Sequence, residues 1–386
     1  MTENINEKLV PEKKDCCGCT ACMSVCPAGA ISMKEDEEGF SYPFADSEKC
    51  IGCGKCLSVC TFKNGGKKGD HPETYYVKHR SEDTRALSRS GGMFSALSDI
   101  ILEDGGVLYG SVLDENFGAV HVRTEDEKGR NLMRGSKYVQ SNMGNVIKQA
   151  AEDLAGGRRV FFTGTPCQVA AVKAAVPGTE NLYTVDIVCH GVPSPKVWRT
   201  FLEWSSRKHG KCTAADFRNK KDFGWADHVE TLTFEKNGRE KKVSTRIFTK
   251  LFYSHKILRP ACFACPYRSV ERIGDISLAD AWEVDKNLPE FNDNKGVSLV
   301  LVNTDKGQEL FDRAKDSIIC HETKIEKNMR QSFTAPFPEP AGRKKFWKDF
   351  LSLDFEKVAK LHGGYGMKNA IRKKLIAIRN TILHKA

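Results

Sequence analysis

Nine of the chain's fifteen cysteines fall in its first sixty residues, and eight of those nine repeat one spacing twice. Cys16, Cys19, Cys22 and Cys26 form a Cys-x2-Cys-x2-Cys-x3-Cys run closed by Pro27. Cys50, Cys53, Cys56 and Cys60 repeat it 34 residues later, with Thr61 in place of the proline. Three thiolates in so tight a loop cap three irons of a cube. The fourth iron lies out of local reach, so the last cysteine of each run serves the other cluster. The expected ligand sets are Cys16, Cys19, Cys22 and Cys60 for one [4Fe–4S] cluster, and Cys50, Cys53, Cys56 and Cys26 for the second. Cys17 is left over, a spare thiol beside the loop. Gly18, Ala21, Gly52 and Gly54 leave the backbone free to wrap closely and aim N–H groups at sulfur. Zinc is the competing reading of Cys-x2-Cys pairs, but a zinc site needs neither the x3-Cys closure nor a doubled run. A disulfide framework fits neither the chain's length nor the lack of a visible signal peptide, and the same reasoning places the protein in a reducing cytoplasm.

At 386 residues the chain is too long for a ferredoxin alone, and one large or two modest domains fit after residue 66. No run approaches the roughly 18 consecutive apolar residues of a membrane-spanning helix. The net charge of +10 points to an anionic partner, cofactor or surface. Nucleic acid is not expected, because the body shows no recognition motif and no basic stripe interleaved with aromatics. Part of the excess is local: residues 367–386 hold six Lys or Arg and no acid, interleaved with Ile371, Leu375, Ile376, Ile378, Ile382 and Leu383. This reads as a cationic amphipathic helix, either packed on its own domain or docked on a membrane surface or acidic partner.

The polar stretch 64–72 marks a joint. The resulting organisation is a ferredoxin-type domain at 1–66, a linker at 67–74, an α/β domain at 75–340 and a basic helical tail at 341–386. Short apolar or alternating runs at 107–113, 160–162, 184–188, 275–278 and 297–302 read as strands. Residues 93–103 carry Phe94, Leu97, Ile100 and Ile101 at helical spacing, without glycine or proline. The alternation predicts a mixed sheet. Three spots look chemical. Ser90, Gly91 and Gly92 precede the helix at 93–103, where free N–H groups suit a phosphate or form an ordinary turn. Gly164-Thr165-Pro166-Cys167-Gln168 follows a strand and opens a helix, which favours a thiolate at Cys167. Cys262 and Cys265 form a cluster-type pair, and Cys189 ends a further strand. Two readings stand for these four: a third metal centre, or a buried Cys189, a reactive Cys167 and a zinc-like pair. Cys212 and Cys320 have no motif. Lys220, Lys221 and Trp225 line an anionic substrate site or an ordinary surface loop.

The segments Ser90-Gly-Gly-Met-Phe-Ser-Ala-Leu97, Gly135-Ser-Lys-Tyr-Val-Gln-Ser141, Gly164-Thr-Pro-Cys-Gln168, Cys189-His-Gly-Val-Pro-Ser194 and Cys262-Phe-Ala-Cys-Pro-Tyr-Arg268, followed by Gly274-Asp-Ile-Ser277, occur in this order. Together they resemble the beta subunit of the coenzyme F420 hydrogenase and dehydrogenase family. The resemblance implies a flavin-binding α/β domain, with FAD (or FMN) beside a third [4Fe–4S] cluster at Cys167, Cys189, Cys262 and Cys265. It makes Ser90, Gly91, Gly92 and Ser95, and Gly135, Ser136, Lys137 and Tyr138, flavin-loop residues. Lys137 then pairs with a phosphate or sits near the ring, or is a plain surface lysine. The implied activity is an oxidoreductase passing electrons from a ferredoxin or other redox protein to an organic hydride acceptor. That acceptor is the deazaflavin coenzyme in the hydrogenases and another molecule in other relatives. The alternative is a non-catalytic subunit wiring a partner enzyme to the ferredoxin pool. A radical or isomerase enzyme is a weaker rival, since no Cys-x3-Cys-x2-Cys run lies outside the N-terminal domain.

Overall fold

Each cysteine run is shaped by two residues in the left-handed region. Gly18 (φ 72°) and Thr20 (φ 64°) in the first run are matched by Gly52 (φ 69°) and Gly54 (φ 71°) in the second. Thr20 and Gly54 each open a one-turn helix, Ala21–Ser24 and Lys55–Ser58. The doubled spacing is thus a doubled conformation. The computed structural model describes residues 5–66, 69, 72–176 and 180–366. Strands β1 (Ile31–Glu35) and β2 (Ser41–Ala45) form an antiparallel hairpin between the runs. Its turn is held by the Asp36 carboxylate, which accepts from the Glu38 and Phe40 N–H groups. Leu9, Ile31 and Ala45 pack with Cys22, Cys26 and Cys56 into a small core, in which the ligands themselves carry part of the packing.

The second part is built on an eight-stranded mixed sheet. Its strands are β3 (Glu73–His79), β4 (Val107–Leu113), β5 (Ala119–Thr124), β6 (Val160–Gly164) and β7 (Leu182–Ile187). After a separate three-stranded sheet of β8 (Lys211–Asp216), β9 (Glu230–Lys236) and β10 (Arg239–Thr245), it is completed by β11 (Ile276–Asp280), β12 (Ser298–Val302) and β13 (Ile318–Thr323). The large sheet runs β13-β3-β12-β11-β7-β6-β4-β5. Its centre, β11-β7-β6-β4, is parallel, and its flanks are antiparallel. Parallel strands are covered on both faces, and alternation shows how. Val107, Tyr109, Val160 and Phe162 face helices Val146–Ala155 and Pro166–Ala175. Leu108, Val112 and Phe161 face helix Met93–Glu103 and Leu310 and Phe311 of helix Asp305–Arg313. The predicted strands and the helix at 93–103 all stand. Strand β3 begins at Glu73, within the stretch expected to be linker, and pairs with β12 from there.

The small sheet is the unexpected part. Helix Pro195–His209 starts on a Ser194 cap that accepts from the Val197 N–H, with Pro195 at its first position, and ends at Gly210 (φ 112°). Its Trp198, Phe201 and Trp204 pack with Leu232 and Phe234 of β9 and with Phe346, Trp347, Phe350, Phe355 and Val358. The described part of the predicted C-terminal tail is helical, as expected, and it is packed rather than free. Helices Arg343–Ser352 and Phe355–Leu361 supply core to this lobe. The basic segment 367–386 lies outside the described residues. Among those described, no helix is long and apolar enough to cross a membrane.

Candidate functional site

The ends of β6 and β7, adjacent and parallel, open onto a small apolar cavity. Helix Pro166–Ala175 follows β6 directly, with a capping box in which Thr165 and Gln168 bond reciprocally, so Cys167 sits in the first turn. Cys189 lies two residues past β7. The chain from there is clamped to 257–259 by a Pro193–Leu258 bridge and by bonds from Ser194 N to Ile257 O (2.9 Å) and Arg259 N to Val192 O (3.0 Å). This clamp delivers Cys262 and Cys265. Past them, Arg272 donates to the Tyr267 and Ser269 carbonyls and to the Asp186 carboxylate (2.6 Å) of β7, which pins the turn to the strand end. Cys167, Cys189, Cys262 and Cys265 all line the one cavity.

A fifth thiol, Cys17, reaches the cavity from the N-terminal domain. It hydrogen-bonds to both Cys19 and Cys167, which holds its own thiol protonated and pulls both neighbours below the usual thiol range. Thr165 Oγ1 lies 3.2 Å from Cys167 Sγ. The Gly191 N–H donates to Cys189 Sγ (3.3 Å) and the Val192 N–H to Cys262 Sγ (3.4 Å), the backbone support that cluster thiolates receive. Burial pushes the Cys189 thiol to about 11 and that of Cys265 to about 12, so both need a counter-charge to ionise. Arg259 and Arg268 line the same cavity, and Arg268 Nη1 is buried without a hydrogen-bond partner. Thiols, sulfur-directed N–H groups and spare cationic N–H groups fit an anionic iron–sulfur cube. Nothing in the sequence singled out Cys17 for this place, since its spacing matches neither run.

The N-terminal cysteines influence one another across the two runs. Cys60 acts electrostatically on Cys16 and Cys22, while Cys26 and Cys50 act on Cys56. The domain docks where Cys167 lies: helices Ala21–Ser24 and Thr61–Asn64 contact helix Pro166–Ala175, and Tyr267 donates to Thr61 Oγ1 (3.0 Å).

Next to the thiol cavity runs a cleft of about 590 Å³, within the range of cofactor sites. Thr165, Cys189, Gly191, Val192 and Ser332 line both. The sequence candidates divide here. Ser90, Gly92, Gly135, Ser136, Lys137 and Tyr138 line the cleft. Gly91 stands behind it, tight against Val77 and Ser298, with its N–H donating to Ser298 Oγ (3.0 Å), so that N–H is not free for a phosphate. Ser95 is buried and accepts from Arg134 Nε (3.0 Å), which holds Arg134 at the cleft. Lys137 Nζ donates to the carbonyls of Leu132, Met133 and Arg134, capping a helix end, while burial draws its pKa down to about 7. Lys220, Lys221 and Trp225 do not line the cleft. Trp225 is buried, stacks on Trp282 and donates to Asp280 (3.0 Å); Lys220 donates to the Arg85 and Lys295 carbonyls. Their neighbour Arg218 does line it, paired with Asp280 at 2.7 Å. Arg89 also lines it, with Nε and Nη2 buried and unpartnered. At the floor, His121 donates from Nε2 to the Thr163 carbonyl (3.1 Å) and meets Ser141 Oγ at Nδ1 (2.7 Å). Burial holds it neutral, at about 4.

Two ferredoxin-like cysteine loops docked on a sheet-edge thiol cavity define an iron–sulfur electron-transfer protein. Residues 15–64 match the family model of the 4Fe-4S dicluster domain. Residues 157–328 match the family model for the C-terminal part of the coenzyme F420 hydrogenase/dehydrogenase beta subunit. No curated protein matches the chain. Among solved structures it is similar to a chain of the F420-reducing [NiFe] hydrogenase complex from Methanosarcina barkeri, with 20% identity over 76% of this chain and 93% of that one, at a TM-score of 0.47.

Proposed function

We propose that the protein is an iron–sulfur flavoprotein oxidoreductase, carrying electrons between a ferredoxin-type redox partner and an organic hydride acceptor. The observation that carries this reading is the wall shared by the thiol cavity and the cleft: Cys189 belongs to both. Bound cubes supply one-electron chemistry, and a bound flavin exchanges electrons singly or as a hydride.

The chain's residues have distinct tasks in this scheme. Cys167, Cys189, Cys262 and Cys265 hold a third cube, with Gly191 and Val192 N–H groups directed at the sulfurs. Gly92, at the start of helix Met93–Glu103, presents that helix N-terminus to the cleft. Arg89 and Arg134 stand beside it, so a flavin phosphate would find both the helix dipole and two guanidinium groups. His121 and Lys137 line the cleft with their N–H groups held by the Thr163 carbonyl and by the helix-end carbonyls, so they shape the wall rather than donate into it.

An anaerobic cofactor count on the purified chain tests the reading. About 12 irons with one flavin, and flavin bleaching when a reduced ferredoxin is added, are expected. About 8 irons and no flavin would instead identify a two-cluster subunit that wires a partner enzyme to its donor.

A further inference from the structure

Five buried arginines each meet a carboxylate: Arg85 with Asp293, Arg130 with Asp99, Arg218 with Asp280, Arg272 with Asp186 and Arg343 with Glu38. Arg259 is different. It is 1% exposed, yet no carboxylate lies within ion-pairing distance of it among the described residues. Its guanidinium donates to Cys16 O (2.7 Å), Ser41 O (2.9 Å) and Gln140 Oε1 (2.9 Å), and reaches Cys16 Sγ at 3.7 Å. The rings of Tyr42 and Phe40 cover it at 4.3 and 5.4 Å. The same side chain lines the central thiol cavity. One permanent charge therefore touches the first ligand run on one side and lines the cavity of the central cysteines on the other.

A buried cation with no anion is costly. Thiolate-ligated cubes on either side would supply the missing anion twice. Such a cube gains a further negative charge on reduction, so a cation fixed in a low-dielectric setting favours the reduced form. Arg268 offers an internal comparison. It is 7% exposed, lines the central cavity, donates to the His190 carbonyl (2.6 Å) and leaves Nη1 unpartnered. Its partners lie away from the N-terminal runs.

We propose that Arg259 is a shared positioning charge that raises the reduction potentials of both the cluster on the Cys16 run and the central cluster, keeping the two matched for electron exchange, whereas Arg268 acts on the central cluster alone. The proposal rests on the central-cluster reading above.

The test is an EPR-monitored redox titration of the full-length anaerobic holoprotein, with iron counted for each sample. Arg259→Gln is expected to lower the midpoints of two clusters, and Arg259→Lys to stay near wild type. Gln140→Glu leaves Arg259 in place but sets a carboxylate against its Nη1. It should lower the same two midpoints, which keeps the test intact should Arg259→Gln fail to assemble. Arg268→Gln should lower only one of the two. Full iron content with unmoved midpoints in Gln140→Glu or Arg259→Gln overturns the proposal, as does a shift confined to one cluster. A wild-type count of about 8 irons overturns it differently, by removing the central cluster itself.

Discussion

Arg343 forks onto Glu38 across 305 residues of chain, with Nη1 donating to Oε1 at 2.7 Å and Nη2 to Oε2. Nη2 also reaches the Leu258 carbonyl at 3.2 Å. Glu38 belongs to the turn of the β1–β2 hairpin and Arg343 opens a C-terminal helix, so one pair joins the cluster domain, the 257–259 clamp and the small lobe. Removing one partner of a buried pair strands the other charge, at a cost of about 3–5 kcal/mol. Arg343→Ala should therefore lower the anaerobic urea midpoint strongly. The double variant Glu38→Gln/Arg343→Met should recover part of the loss. Equal stability of Arg343→Ala and wild type would show that the pair does not hold the domains.

The central cavity predicts selective iron loss. Cys189→Ser or Cys262→Ser should cost about 4 of about 12 irons and leave the EPR signals of the N-terminal clusters in place. Retention of every iron in both variants would mean that these cysteines hold no cluster.

Crossed ligation predicts non-additivity. If Cys60, in the second run, serves the first cluster, Cys60→Ala and Cys16→Ala should remove the same cluster. Their double variant should lose about 4 irons, whereas Cys60→Ala combined with Cys50→Ala should lose about 8. The reverse pattern would establish uncrossed pairing.

Flavin retention should depend on Arg134 and Arg89. A charge-assisted bond contributes about 1.5–3 kcal/mol, so Arg134→Ala or Arg89→Ala should weaken flavin binding by about 10- to 150-fold. Fluorescence of released flavin after dialysis measures this. Wild-type affinity in both variants would move the phosphate elsewhere.

Glu230 gives the protein a pH signature away from the cysteines. Burial raises its carboxyl to about 7, against the bonds it accepts from Thr249 Oγ1 and from the Phe248 (2.9 Å) and Thr249 (3.2 Å) N–H groups. The unfolded value is about 4.3, so between about 4.3 and 7 the folded state binds the extra proton. Stability from this group is then greatest below that window, falls by about 4 kcal/mol as pH rises through it, and is flat above. Glu230→Gln should remove that slope, read as the difference between urea midpoints at acid and alkaline ends of the window. An unchanged slope would show that Glu230 titrates normally.

What the sequence determined by itself was local. Eight cysteines at fixed spacing specify two cubes, because a tight loop reaches three irons and no more. Thr165, Pro166 and Gln168 write a helix start around Cys167, and the spacing of Phe94, Leu97, Ile100 and Ile101 writes the helix Met93–Glu103. Only the tertiary structure decided which thiols meet. Cys189 and Cys262 converge through the Pro193–Leu258 bridge and the Asp186–Arg272 pair, and Cys17 joins them because the N-terminal domain docks on the Cys167 helix. Gly91 and Ser95 carry the right motif but fall behind the cleft, one packed on β3 and β12, the other beneath Arg134. The small sheet escaped notice because β8 and β10 are mostly solvent-facing and polar; the helices at 343–361 are legible as a helical tail, but not their place in a core, because their partners lie far away in sequence. Spacing encodes what neighbouring residues do. Burial and long-range pairing decide which distant groups share a cavity, and they leave no period in the chain to read.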